Sequence, residues 1–168
     1  MRLFIALRFE EPLLTQLVSY LNGLRKAGFR GNFTKRENLH LTLAFIGEYK
    51  DPSRVLKAMK KTPFSPFALS TGRIGAFGDL MWLGLDGTDA LREYVSRLRT
   101  SLADDGIPFD NKKFSPHITL VRRCERGDAL PPPPEAQAVF RRVSLMKSDF
   151  GQRGMIYTEL GYVDAFGE

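Results

Sequence analysis

Two short segments of this 168-residue chain, His40-Leu41-Thr42-Leu43 and His117-Ile118-Thr119-Leu120, are nearly the same, and they use its only two histidines. Alternation of side chains along a strand sends His and Thr to one face and the two aliphatic residues to the other. Each segment is therefore expected to be anchored in a core by its aliphatic pair. It presents an imidazole and a hydroxyl about 6–7 Å apart on the opposite face. Their surroundings repeat as well. A strand beginning near Phe4, a helix and an extended piece lead to His40; a strand near Trp82, a helix and a loop lead to His117 at almost the same spacing. Further strands follow each histidine, Phe67–Ser70 on one side and Val143–Leu145 on the other, with later partners near Trp82 and Tyr157. The pattern predicts one domain over residues 1–168, made of two similar intertwined lobes about a pseudo-twofold axis. The strands are too many for so few helices to make a regular doubly wound sheet.

The remaining elements follow from periodicity and breakers. Apolar residues over Met1–Arg8 read as a buried strand, and charges at both ends argue against a signal peptide. Glu10-Glu11-Pro12 opens a helix with acid in its first turn; Leu14, Leu17, Leu21 and Leu24 line it, and Gly28 marks its exit. Asp51-Pro52 starts a short helix to about Lys60, with Val55, Leu56 and Met59 inward. Strands are expected over Phe67–Ile74, Leu80–Leu85, Pro116–Val121, Val139–Met146 and Met155–Tyr162. A third helix carries Leu91, Val95, Leu98 and Leu102 from Thr88 or Asp89 to Gly106. Pro131 to Pro134 form a stiff connector, since consecutive prolines suit neither a helix interior nor a central strand. Trp82 is read as sheet packing before base stacking, and Phe45 as core; Phe33 fits either role.

Charge narrows the partners. Lys and Arg total 25 against 19 Asp and Glu, a net +6 with pI near 9.6, which favours an anionic partner. No apolar run reaches the roughly 20 residues of a membrane span. The single Cys124 can form neither an intrachain disulfide nor a cysteine zinc site, so the expected home is the reducing cytoplasm.

Two imidazoles flanked by two hydroxyls suit phosphoryl transfer. One neutral histidine can take a proton from a nucleophile while a protonated one gives a proton to the departing oxygen. Thr42 and Thr119 can donate to nonbridging oxygens as their charge grows. A strained 2′,3′-cyclic phosphate needs little metal activation, and no clustered Asp or Cys suggests a metal centre, so no cofactor and no metal are expected. This chemistry alone leaves open which histidine is acid and which is base.

With Arg2-Leu3-Phe4-Ile5-Ala6-Leu7, Glu37–Gly47, Phe114–Arg122 and the Tyr157 segment, the chain resembles the 2H phosphoesterases, in particular the RNA 2′,3′-cyclic phosphodiesterases, also called 2′-5′ RNA ligases. The resemblance implies a bilobal α+β fold, a pseudo-twofold arrangement of antiparallel sheets around a central cleft with helices on the outside, and opening of an RNA-terminal 2′,3′-cyclic phosphate to a 2′-phosphate. It implies His40 as proton donor to the leaving oxygen, His117 as base, and Thr42 and Thr119 as phosphate stabilisers. Arg122 matches a basic position of the family and is the leading substrate-binding candidate; Arg30, Lys35, Arg36 and Lys147 are secondary ones. The expected partner is an RNA end, tRNA fragments among them, met by a monomer with no obligate protein partner. Two alternatives share this architecture: ATP-independent 2′-5′ ligation at the same site, and a non-catalytic RNA-binding module.

Overall fold

The computed structural model describes residues 1–167. It is an α+β structure of nine strands in one curled, antiparallel sheet with three α-helices. In chain order these are β1 (Arg2–Arg8), α1 (Leu13–Lys26), β2 (Arg30–Phe33), β3 (His40–Glu48), α2 (Pro52–Lys60), β4 (Phe67–Phe77), β5 (Leu80–Asp86), α3 (Asp89–Asp104), β6 (His117–Glu125), β7 (Gln137–Phe140), β8 (Arg142–Gly151) and β9 (Gly154–Asp164). A 3-10 turn, Arg36–Asn38, leads into β3.

The strand order β7-β4-β5-β6-β3-β1-β8-β9 has β3 and β6 at its centre. Read outward, each central strand is flanked by the strand that opens its own strand-helix-strand unit, β1 beside β3 and β5 beside β6. The next strand out comes from the other half of the chain: β8 joins β1, and β4 joins β5. The two halves of the chain therefore exchange strands within this one sheet. β2 stands off this path and pairs with β6.

One face of the sheet is the core. Leu3, Ile5 and Leu7 of β1, Leu41 and Leu43 of β3, Leu83 of β5, and Ile118 and Leu120 of β6 join there with Leu17, Leu21 and Leu24 of α1, Val55 and Met59 of α2, and Leu91, Val95, Leu98 and Leu102 of α3. The opposite face, with His40 and Thr42 beside a small cluster of Phe4, Ala6, Met146, Phe45 and Tyr157, is left to the site.

Element boundaries differ from expectation in informative places. The strand expected over Val139–Met146 is two strands: β7 pairs with β4, β8 with β1, and the chain changes partners at Arg141. Periodicity cannot register a change of partner, because both pieces alternate normally. Glu10 and Glu11 precede α1 rather than occupying its first turn. Glu11 still serves that end, its carboxylate accepting from the Thr15 hydroxyl (2.5 Å) and the Thr15 N–H (3.3 Å). No helix among the described residues is long and apolar enough to cross a membrane.

Candidate active site

The two motif strands meet at one antiparallel rung, Leu41 opposite Ile118. Both residues are fully buried on the core face. One step either way, that register sets His40 across from Thr119 and Thr42 across from His117. All four alternate away from the core, so they share the other face. The site is a diagonal square of two imidazoles and two hydroxyls about the Leu41–Ile118 axis.

Both rings are held the same way. His40 Nδ1 donates to the Asn38 carbonyl at 2.7 Å, and His117 Nδ1 donates to the Ser115 carbonyl at 2.6 Å. A carbonyl only accepts, so each Nδ1 carries the proton and Nε2 remains for chemistry. His40 Nε2 lies 3.0 Å from Thr42 Oγ1. Aromatic rings brace each imidazole: Tyr157 edge-on at 5.1 Å and Phe4 at 5.0 Å for His40, Phe77 edge-on at 5.4 Å and Trp82 at 6.3 Å for His117. Burial holds the His40 imidazole below its ordinary range. Its bond to the Asn38 carbonyl opposes this, and the nearby charges of Arg122 and His117 push the same way as burial.

Arg122 reaches this neighbourhood through a bulge. It is five residues beyond His117, an odd offset, so strict alternation would turn it to the core. β6, however, spends two residues against one of β5: Trp82 pairs with Thr119 and Met81 with Val121, leaving Leu120 as the extra residue. Val121 thereby stays in the core and Arg122 shares the face of His117. The Thr34 N–H takes the Leu120 carbonyl at 2.9 Å, and the Thr34 hydroxyl takes that of Thr119 at 2.9 Å. A second irregularity follows at Arg123, whose φ of 51° is left-handed. β3 carries the same device. Its partner β1 skips Leu43 and then Ile46, the positions equivalent to Leu120 and Arg123. Phe45 is thus the counterpart of Arg122, half-buried against the Phe4 cluster with Arg2 over its ring at 5.0 Å. The square is symmetric in its histidines and threonines and asymmetric one bulge further on, a cation on one strand and an aromatic ring on the other.

The secondary basic candidates are dispersed. Arg30 lies on β2, paired in register with Glu125. Arg36 forms an ion pair with Glu11. Lys147 alternates with Met146 and Ser148, which puts it on the face away from the histidines, where it pairs with Asp149 at 3.3 Å. The Lys35 ammonium donates to the Arg153 carbonyl in the β8–β9 turn. Cys124 is half-buried beside Asp79, and burial raises its thiol above the usual range, which does not suit a nucleophile.

Other residues enter the site without a motif to announce them. Arg8 is the β1 partner of His40 and pairs with Glu159 at 3.5 Å; Glu159 also accepts from the Ser144 hydroxyl at 2.6 Å. Asn38 joins two structures, its carbonyl holding His40 while its amide donates to the Met155 carbonyl of β9 at 3.0 Å. Only the alternation of β1 after Leu3, Ile5 and Leu7 could have pointed to Arg8.

One curled antiparallel sheet with paired His and Thr strands at its centre fits the two-histidine phosphoesterase class. The chain belongs to the 2′-5′ RNA ligase superfamily, whose sequence profile matches residues 13–150. It is similar to the RNA 2′,3′-cyclic phosphodiesterase of Thermotoga maritima, at 34% identity over 131 residues covering 73% of this chain and 70% of the relative. The Escherichia coli protein of the same name is 30% identical over 140 residues, 79% of this chain and 77% of its own. The crystal structure of E. coli LigT complexed with 3′-AMP superposes with a TM-score of 0.86 at 26% identity, covering 99% of this chain and 98% of LigT.

Proposed function

We propose that this chain hydrolyses the 2′,3′-cyclic phosphate at the end of an RNA to a 2′-phosphomonoester, using its two histidines as acid and base. The observation that carries the reading is the diagonal square: two imidazoles with the same tautomer, each beside a threonine of the facing strand. The names of the relatives supply the substrate. His117 takes a proton from water as the water oxygen bonds to phosphorus. The P–O3′ bond breaks, and His40 gives its proton to O3′, leaving the phosphate on O2′. Thr42, Thr119 and Arg122 donate to the nonbridging oxygens, where negative charge grows. Burial favours neutral His40, and an arriving phosphodiester anion opposes that by favouring the imidazolium a proton donor needs. Both proton transfers are covered by side chains, so the reading requires no metal.

Both half-sites come from one chain, which supports a monomer and a single domain of two intertwined lobes. The net charge of +6 supports an RNA end, tRNA fragments included, and the lone cysteine supports the cytoplasm. The test incubates purified protein, with chelator, with a short RNA ending in 2′,3′-cyclic phosphate and follows the product by phosphorus NMR. A 2′-phosphate is expected from the wild type. No hydrolysis, or hydrolysis unchanged after both His40→Ala and His117→Ala, overturns the reading. If a 5′-hydroxyl replaced water as nucleophile, two tRNA halves would be joined without ATP, and the same assay with both halves present detects that product.

A further inference from the structure

The face that carries the histidines does not end at Tyr157. From Met146 to Gly151, β8 pairs with β9 in unbroken register: Met146 with Glu159, Ser148 with Tyr157, Phe150 with Met155. Met146 and Tyr157 belong to the cluster on the site's side of the sheet, so alternation puts Phe150 and Met155 on that side too. Phe150 is therefore one step, about 7 Å, beyond the ring that braces His40. It is 85% exposed, the most exposed of the chain's large apolar residues. A lone exposed apolar residue is ordinary; one standing on the site's own face, at its rim, is placed to meet what the site binds. Two cationic residues belong to the same hairpin end, Arg153 in the turn and Lys35, whose ammonium donates to the Arg153 carbonyl. The Asn38 amide, bonded to the Met155 carbonyl, ties this hairpin end to the segment that holds His40.

We propose that the β8–β9 hairpin end is a second contact for RNA: Phe150 stacks on the base of the nucleotide preceding the terminal one, and Lys35 and Arg153 meet the connecting phosphate. An aromatic face beside cations is the combination that holds single strands without regard to sequence. The proposal rests on the cyclic-phosphate reading above and adds a substrate length. The protein acts on oligonucleotide ends in preference to mononucleotides.

The test compares kcat/KM for a mononucleoside 2′,3′-cyclic phosphate and for an RNA trinucleotide ending in 2′,3′-cyclic phosphate, in wild type, Phe150→Ala and Phe150→Trp. The expected result is a wild-type preference for the trinucleotide. Phe150→Ala should reduce that substrate's kcat/KM about tenfold, through KM, and leave the mononucleotide unchanged. Phe150→Trp should retain the preference. Lys35→Ala with Arg153→Ala should flatten the salt dependence of the trinucleotide KM and leave that of the mononucleotide alone. Equal wild-type use of both substrates overturns the hairpin contact while the cyclic-phosphate reading stands. So does a Phe150→Ala effect that is absent or the same on both. Hydrolysis of neither substrate overturns both.

Discussion

His40 sits in a balance of opposing influences: burial and the charges of Arg122 and His117 disfavour its protonation, and its bond to Asn38 favours it. The unfolded chain protonates this residue near pH 6.5, the folded chain at lower pH. Between those two values the unfolded state binds more protons, so stability rises with pH across that window. Below the folded value the penalty is constant. A urea midpoint measured from pH 5 to 7.5 should climb in the wild type, and the part due to this residue should vanish in His40→Gln. Catalysis offers a second reading of the same group. If His40 is the proton donor, the alkaline limb of kcat/KM reports it in the free protein. That limb should move upward in kcat, where the phosphate is bound. If it is the base, the acid limb is the one that moves. The chain's two histidines also make the imidazole NMR titration simple. Arg122→Gln should raise the His40 midpoint toward 6.5 while lowering the hydrolysis rate about 10²–10³-fold, the usual cost of one charge-stabilising donor.

At the scale of the element, the deciding feature is the bulge. Sequence alternation correctly sorted His40, Thr42, His117 and Thr119 onto one face, because nothing interrupts either strand between His and Thr. It could not sort Arg122, because the extra residue at Leu120 is defined by what β5 does opposite it. Gly31 of β2 is tight against the same segment: a Cβ there would lie 2.8 Å from both the Arg122 and Arg123 carbonyl oxygens and 2.9 Å from Val121 Cγ1. Gly31→Ala should therefore push β2 from β6 and misplace Arg122. Its rate loss is expected to follow that of Arg122→Gln in direction. The double variant should be little worse than Arg122→Gln alone, since both act on one group. Additive losses would show that Gly31 affects the rate by another route.

Across the whole molecule, the two halves are joined by exchange. β4 and β8 each complete the other half's sheet, and the central strands β3 and β6 pair directly only at Leu41 and Ile118. That rung is both the seam of the fold and the axis of the site. Truncating either residue leaves a cavity where the core meets the square of His and Thr side chains. Leu41→Ala or Ile118→Ala should each cost about 2–5 kcal/mol, read from a urea midpoint. Hydrolysis should fall further than the folded fraction, because the separation of His40 and His117 depends on this contact.

The amino-acid sequence by itself determined the three helices and most of the strands, the α+β class, the equivalence of the two histidine strands and the face each His–Thr pair occupies. Local alternation and apolar anchoring are enough for that. Tertiary structure alone decided which strands neighbour one another, where the run after Val139 changes partners, and that His40 faces Thr119. It also brought Arg122 and Arg8 to the histidines, tied Asn38 to β9, and turned Lys147 away. The reason is physical: register and bulges are properties of two strands at once, so a residue's side of the sheet past such a point cannot be read from its own strand.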